Sequence, residues 1–256
     1  MKLIKEFTGN SKAQVRLVDR GHGPEVLKTN INSEHYQLLA KAMPFNSPAI
    51  YEIGENYLYM EYLPGMEMTQ FITSASKYEL DQLIAFLRSY IDWSFTNSYP
   101  YDFTTEIEGK IDKLKGVVDV TMFADMPRIL PKSVIHGDLT LENIIYYNNR
   151  FYFIDFHPTN LSSIQFDVCK LLQDVDSLWF ARSNKNKLNC LIPCKYISQS
   201  IRTTYPKLCN KATEMFMLSR ILPYCKNEFD DLFLRSAIAN VNSNTLCWQQ
   251  QTISGD

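Results

Sequence analysis

The stretch VIHGDLTLENIIYYNNRFYFIDF, residues Val134–Phe156, places polar side chains between apolar and aromatic runs. It contains Asp138, Asn143 and Asp155 within a short length of chain. Burying or half-burying a carboxylate costs free energy unless a cation or hydrogen-bond donors compensate it. We therefore expect these three residues to form a functional site.

Two short strands, NIIYY and FYFID, flank Asn148-Asn149 and predict a tight hairpin. Such a hairpin brings Asn143 beside Asp155, with Asp138 on the loop that leads into it. An amide oxygen next to a carboxylate offers hard ligands, which suit Mg²⁺ carried by a nucleotide. A further acid facing them is suited to accepting a proton from an incoming hydroxyl.

The composition indicates an ordinary globular protein. Of 256 residues, 45% are hydrophobic and 21% are charged, and the net charge is −2. We expect no nucleic-acid partner, because no run of Lys or Arg stands out. The N-terminal MKLIKEFTGN lacks an apolar stretch and no apolar run is long enough to cross a bilayer, so we expect a cytoplasmic protein without membrane insertion. Its cysteines are expected to be reduced, and CLIPC, Cys190–Cys194, lacks the partners of a zinc site.

Along the chain, strand patterns come first and helical patterns follow. Alternating segments up to about residue 62 predict an antiparallel sheet, with one helix that starts at an N-cap Ser33. Helical spacing then appears over about 68–97 and 104–118, and again beyond the opening stretch. The sequence predicts an α+β fold with an N-terminal lobe, 1–62, and a mainly helical C-terminal lobe, 63–256.

The motifs HGD-x4-N (136–143) and IDF (154–156) resemble the catalytic and metal-binding loops of the aminoglycoside phosphotransferase and choline kinase group. That group belongs to the protein-kinase-like fold, so the resemblance implies two lobes and an ATP-dependent phosphotransferase. It also implies that Asp138 is the catalytic base and that Asn143 and Asp155 hold Mg²⁺. The alternative is structural, with Asp138 capping a turn and Asn143 satisfying a backbone donor.

The resemblance extends to the N-terminal lobe, where a kinase needs a strand lysine for the nucleotide phosphates and a helix glutamate to hold it. Lys28 in EVLKT and Glu34 in the following helix match those positions. The phosphate loop would be Thr8–Gln14, which has only Gly9 as a glycine and offers Ser11 and backbone amides to phosphate.

The segment MEYLPG, residues 60–65, resembles the hinge at which backbone groups of Glu61 and Leu63 would pair with adenine. The same segment is also typical of an ordinary linker between two lobes. Asp167 resembles the family's Asp at the start of the next helix, where it either organises the catalytic loop through hydrogen bonds or acts as an N-cap. His157, which stands where relatives carry a second acid, is expected to be structural or substrate-facing.

The predicted activity is transfer of the γ-phosphate of ATP to a hydroxyl of a small molecule. The acceptor remains open among a sugar, an amino alcohol, an aminoglycoside and a glycan precursor, and Asp174 and Asp176 would supply local acidity for a cationic one. The alternatives are a nucleotide-binding pseudokinase with a regulatory role, which the single loop glycine favours, and a protein kinase. The protein-kinase alternative is disfavoured by the absence of an Ala-Pro-Glu segment and of room for an activation loop.

Overall fold

The computed structural model describes residues 1–7, 13–184, 187–225 and 227–243. Residues 8–12 of the predicted phosphate loop, which include Gly9 and Ser11, lie outside the described residues. Cys247 also lies outside them. The proposed contact of Ser11 with phosphate therefore stays a prediction.

A five-stranded antiparallel sheet forms the N-terminal part. Its strands are β1 (Lys2–Phe7), β2 (Gln14–Asp19), β3 (Pro24–Thr29), β4 (Ile50–Ile53) and β5 (Tyr57–Glu61), in the order β1-β2-β3-β5-β4. Strand β3 is central, and Lys28 pairs across it with Val15 on one side and Leu58 on the other. The backbone of Lys28, the one lysine of this strand, is thereby fixed by paired strands on both sides.

Helix α1 (Ser33–Ala42) connects β3 to β4. Its N-cap is Asn32, whose side chain accepts from the N–H of His35 at 2.9 Å. The prediction that Ser33 caps this helix is wrong by one residue, because the buried Ser33 hydroxyl instead donates to the carbonyl of Gly54. Ser33 thereby ties the helix to the turn between β4 and β5.

The rest of the chain is mainly helical. The helices are α2 (Met68–Ser74), α3 (Lys77–Thr96), α4 (Thr104–Ile111), α5 (Ile164–Ser177), α6 (Leu191–Thr204), α7 (Lys211–Ser219) and α8 (Glu228–Asn242). The helix predicted over 68–97 is divided, because Ser76 and Glu79 form a capping box that starts a new helix. The segment predicted as a helix over 104–118 leaves the α-helical form after Ile111 and turns at Gly116, which has φ +80.

Short strands complete the C-terminal part: β6 (Met66–Glu67), β7 (Tyr99–Asp102), β8 (Ile129–Lys132), β9 (Ile144–Tyr147) and β10 (Arg150–Phe153). The predicted hairpin is present as β9–β10, and β6 joins it through β9. Asn148 and Asn149 take φ +48 and +58 at its turn, a left-handed conformation that Asn tolerates better than most residues.

One hydrophobic cluster runs from the sheet into the helices. It includes Leu58 of β5, Leu87 of α3, Phe153 of β10 and Leu172 of α5, all buried. The predicted α+β architecture, with an antiparallel N-terminal sheet, one helix in it and a mainly helical remainder, is confirmed. The boundary between residues 62 and 63 stays a prediction. None of the helices in the described ranges combines the length and the apolar character needed to traverse a bilayer.

Candidate active site

The HGD loop is anchored through His136, whose side chain is fully buried. Its Nε2 lies 2.8 Å from the carbonyl oxygen of Ile154, and its own carbonyl accepts from the N–H of His157 at 2.9 Å. Because a carbonyl can only accept, Nε2 carries the proton and Nδ1 is free to accept from the N–H of Asp138 at 3.3 Å. These bonds hold the HGD loop against the segment that follows β10.

Gly137 is required where the loop passes that segment. It has φ +85, and a Cβ added there would lie 1.9 Å from the carbonyl oxygen of His157. Any side chain would force the two segments apart. The glycine therefore sets how closely Asp138 approaches the residues after β10.

Asp138 lies within reach of solvent and beside two donors. The Nζ of Lys170 in α5 is 3.3 Å from its Oδ1, and the Nδ2 of Asn143 is 3.2 Å from its Oδ2. With 42% of its side chain exposed, the carboxylate is accessible to an incoming hydroxyl. Burial raises the pKa of Asp138, but Lys170 and the nearby histidines outweigh it and hold the pKa below its ordinary value. The group is therefore ionised at neutral pH, the form that can accept a proton.

Asn143 and Asp155 are neighbours, as the hairpin predicts. The N–H of Ile154, just before Asp155, donates to the carbonyl of Asn143 at 3.0 Å. The Asn143 amide group also donates to the carbonyl of Asp138 at 2.8 Å, which directs its Oδ1 away from that residue. Asp155 has φ +58, a conformation that is costly for a non-glycine residue and that often occurs at functional sites.

Lys28 reaches this group from the N-terminal sheet. Its Nζ forms an ion pair with Asp155 and lies 5.1 Å from the ring centroid of Tyr36. Tyr36 is buried, and burial followed by the charge of Asp155 raises the pKa of its hydroxyl. The lysine and the carboxylate are thus close enough to act on one triphosphate.

Glu34 is not brought to Lys28. It is exposed in the first turn of α1, and within the described residues Lys28 has its ion pair with Asp155 and none with Glu34. A carboxylate in a first helical turn is favourable without any partner. The role predicted for Glu34 therefore stays a prediction that this geometry does not support.

Asp167 makes the hydrogen bonds predicted for it. Its carboxylate accepts from the hydroxyl of Tyr90 at 2.5 Å and from the N–H groups of His136 at 2.9 Å and Gly137 at 3.1 Å. The N-cap of α5 is Ser163, so Asp167 does not cap the helix. Its role is to fix the backbone of the HGD loop.

Asp174 and Asp176 have different surroundings. Asp174 is fully buried, and its Oδ2 accepts from the N–H of Leu141 at 2.7 Å, beneath the loop between Asp138 and Asn143. Asp176, half a turn further along α5, forms an ion pair with Arg202 at 2.6 Å. Burial therefore excludes Asp174 from supplying acidity to a cationic acceptor. Asp176 lines a cavity with Glu214, and both are paired with Arg202, so its suggested role stays a prediction.

Burial raises the pKa of Asp174 to about 8, against the opposing effect of the Leu141 N–H and with a further contribution from Glu142. Its Oδ1 has no hydrogen-bond partner in the described part of the chain. A buried carboxyl with one unpaired oxygen favours the neutral form.

The hinge residues lie at the end of β5. The N–H of Glu61 donates to the carbonyl of Ala49 at 2.8 Å, and its side chain accepts from the N–H of Ala49 at 3.1 Å. Leu63 is buried, and its N–H has no hydrogen-bond acceptor among the described residues. An unpaired backbone donor is what an adenine ring would need there.

The side-chain oxygens of the site fit the needs of a magnesium ion that is carried by a nucleotide. Within the described residues no group of three His, Cys, Asp or Glu side chains could hold a metal alone. Mg²⁺ usually takes one or two protein oxygens and completes its shell with phosphates and water. The half-exposed carboxylate of Asp155 and the Oδ1 of Asn143 supply such a pair.

Two residues of the site were missed by the sequence analysis. Lys170 neutralises Asp138, and Tyr90 donates to Asp167 from α3. Asp167, Lys170 and Asp174 recur at three- and four-residue intervals on one face of α5, and that spacing was a usable signal.

The fold resembles that of several solved small-molecule kinases. A thermostable mutant of aminoglycoside phosphotransferase APH(4)-Ia in its apo form matches with a TM-score of 0.64 and 14% identity, over 95% of each chain. The streptomycin-ATP-APH(2")-IIa ternary complex matches with a TM-score of 0.60 and 12% identity, over 95% of this chain and 91% of the other.

A putative fructosamine-3-kinase from Haemophilus somnus 129PT matches with a TM-score of 0.54 and 13% identity, over 93% of this chain and 90% of the other. No family model and no curated protein matches the sequence. At such identities the comparison establishes the fold alone, and this chain has the protein-kinase-like fold that the resemblance implied.

Proposed function

We propose that the protein is an ATP-dependent phosphotransferase that moves the γ-phosphate to a hydroxyl of a small molecule. One observation carries this proposal: Lys28, which is 127 residues from Asp155 in the sequence, meets Asp138, Asn143 and Asp155 in one site whose carboxylates are half-exposed. The kinase names of the solved neighbours, and their complexes with ADP, AMP-PNP or ATP, support it.

In the proposed mechanism each residue has one task. Lys28 binds phosphate oxygens of the nucleotide, and Asn143 and Asp155 would hold Mg²⁺, which would neutralise charge on the phosphates. Asp138 orients the acceptor hydroxyl and takes its proton, with Lys170 keeping the carboxylate ionised. A bond forms between the acceptor oxygen and the γ-phosphorus, the bond to the β-phosphate oxygen breaks, and ADP leaves.

Positioning and charge neutralisation account for most of the catalysis in phosphoryl transfer, so this small set of groups is sufficient. Asp167 contributes by fixing the backbone before Asp138, and Gly137 by allowing its close approach to the residues after β10. We infer that the N–H of Leu63 donates a hydrogen bond to the adenine ring.

The first test is thermal unfolding with and without Mg·ATP, for the wild type, Asp155→Asn and Asp125→Asn. Asp125 is an exposed carboxylate and serves as the control. A ligand at about 100 times its dissociation constant adds about 2.7 kcal/mol of stability, which for a chain of this size is about 5 to 10 °C. We expect a magnesium-dependent shift in the wild type and in Asp125→Asn.

The shift should be absent or much smaller in Asp155→Asn, measured against that variant's own melt because Lys28 loses its ion pair. A melting temperature that no nucleotide changes would refute the proposed function. A normal shift without transfer to a broad panel of hydroxyl compounds would instead favour a nucleotide-binding pseudokinase.

A further inference from the structure

A cavity of about 400 Å³ lies between α5, α7 and α8, and its described lining includes none of the residues that form the candidate active site. Volumes of about 300 to 1,000 Å³ are typical of small-molecule sites. On α5 the lining includes Asp176, which follows Asp167 by roughly two and a half helical turns. Because Asp167 faces the HGD loop, the cavity lies against the opposite side of α5.

Most of the cavity wall is apolar. Phe229 and Phe233 of α8, whose ring centroids are 6.2 Å apart, contribute to it together with Leu172 of α5 and Leu218 of α7. Phe229 and Leu232 are exposed in spite of their size, at 52% and 57%, so the cavity is open to solvent on the α8 side. Covering such surface is favourable through the hydrophobic effect, and the wall therefore favours a ligand with an apolar body.

The polar part of the lining carries a negative charge. Arg202 of α6 donates to Asp176 at 2.6 Å and to both carboxylate oxygens of Glu214 at 2.9 and 2.7 Å, so one cation serves two anions. Asp176 and Glu214 line the cavity, whereas no Lys, Arg or His does so within the described ranges. Lys187, whose Nζ lies 5.8 Å from the Phe233 ring centroid, is not part of the lining. Burial raises the pKa of Glu214 against the opposing effect of Arg202, so a second cation would stabilise its ionised form.

A buried amide without partners belongs to the same lining. Gln173 is only 3% exposed, and neither its Nε2 nor its Oε1 has a hydrogen-bond partner in the described part of the chain. It lies three residues before Asp176 on α5, so the two side chains are neighbours. The Oδ1 of Asp176 likewise accepts no hydrogen bond from a described residue, because its ion pair uses Oδ2. Buried polar groups are normally hydrogen-bonded, and these two oxygens therefore offer acceptors to the N–H groups of a ligand.

We propose that this cavity binds a small amphipathic cation, whose apolar body lies against Phe229 and Phe233 and whose amidine or ammonium head donates to Asp176 and Gln173. An N–H donor that carries a positive charge makes stronger hydrogen bonds to a carboxylate than a neutral one does. An anionic ligand would instead meet two carboxylates, and a purely apolar one would leave the Gln173 amide unpaired. This site is separate from the proposed phosphoryl transfer and does not depend on it.

The binding test uses naphthalene-2-carboxamidine as the probe and 2-naphthoate as an anion of nearly the same shape. Each is titrated calorimetrically into the nucleotide-free protein and into protein with saturating Mg·AMP-PNP. We expect one amidine per chain in both states, bound at least about 10-fold more tightly than naphthoate. Amidine binding should weaken about 10- to 100-fold in Asp176→Asn, the loss typical of a charge-assisted hydrogen bond, and about 3- to 10-fold in Gln173→Met. Asp125→Asn, at an exposed carboxylate outside the lining, should bind the amidine like the wild type.

Ser236→Trp keeps the test decisive if Asp176→Asn does not fold. Ser236 is an exposed lining residue of α8 at which an indole would occupy the cavity, so amidine binding should be lost. No saturable binding to the wild type, a preference for naphthoate, or undiminished binding in Asp176→Asn or Ser236→Trp would overturn the proposal. Binding that saturating Mg·AMP-PNP abolishes would place the probe in the nucleotide site and would also overturn it. A dimer seen by sedimentation velocity and disrupted by Ser236→Trp would assign the cavity to a second copy of the chain and refute the small-molecule site.

Discussion

Replacing Asp174 by Asn should change how the stability of the protein depends on pH. Asp174 is fully buried in α5, and burial raises its pKa from 3.8 to about 8. Asparagine has nearly the same shape, and its side-chain oxygen can still accept from the N–H of Leu141, as Oδ2 does at 2.7 Å. The variant therefore removes the titration and keeps the contact.

The sign follows from the two pKa values of Asp174. The unfolded chain releases this proton near pH 4, and the folded protein keeps it until about pH 8, so the folded state binds more protons in between. The stabilising contribution of Asp174 is complete below pH 4 and is lost as the pH rises towards 8. Each pH unit in this window corresponds to about 1.4 kcal/mol, so the loss between pH 6 and pH 9 is about 2 to 3 kcal/mol.

The assay is denaturant unfolding of the wild type and Asp174→Asn at pH 6, 7, 8 and 9. Groups common to both proteins cancel in the difference between their free energies of unfolding, and an unpaired Nδ2 adds only a constant offset. We expect the variant to gain about 2 to 3 kcal/mol relative to the wild type from pH 6 to pH 9. Parallel curves would show that Asp174 is already ionised at pH 6 and would refute the argument from burial.

Three other substitutions test the site. Asp138→Asn should lower turnover by a factor on the order of 10² to 10⁴, while the increase in melting temperature with Mg·ATP persists. Turnover equal to that of the wild type would show that Asp138 is not the base. Asp167→Ala leaves the Tyr90 hydroxyl and the Gly137 N–H without their acceptor, whereas the His136 N–H keeps the Tyr90 oxygen at 2.8 Å. We expect the free energy of unfolding to fall by about 2 to 5 kcal/mol, and a loss below about 1 kcal/mol would mean that those hydrogen bonds do not hold the loop. Gly137→Ala should lower the free energy of unfolding by at least about 2 kcal/mol in the same denaturant assay, because its Cβ meets the His157 carbonyl. The control Gly109→Ala, in open space in α4, should raise the free energy of unfolding by about 0.5 to 1 kcal/mol. A change of the same sign in both variants would contradict the clash.

Local pattern was enough for the parts of the site that are near each other in sequence. Asp138 and Asn143 are five residues apart, and the paired asparagines at the β9–β10 turn make the register of the hairpin predictable. The position of Asp155 opposite Asn143 follows from that register. The strand that carries Lys28 was likewise recognisable, because alternation and a glycine turn are local signals.

The partners of the charged groups could not be predicted in the same way. Lys28 pairs with Asp155, 127 residues away, although Glu34 is the nearer acid in the sequence. Asp174 and Asp176 are two residues apart, yet one is buried under the loop between Asp138 and Asn143 and the other pairs with Arg202. Two residues along a helix correspond to a rotation of about 200°, so only the packing around α5 decides what each one meets.

The sequence by itself therefore determined the fold class, the hairpin and the group of residues that suggests phosphoryl transfer, because each rests on periodicity or on spacing along the chain. Tertiary structure alone decided that Lys170 neutralises Asp138 and that Asp167 and Tyr90 fix the HGD loop. The physical reason is that the energy of a charge depends on its burial and on its nearest charges. Both are set by the packing of elements that are distant in the sequence.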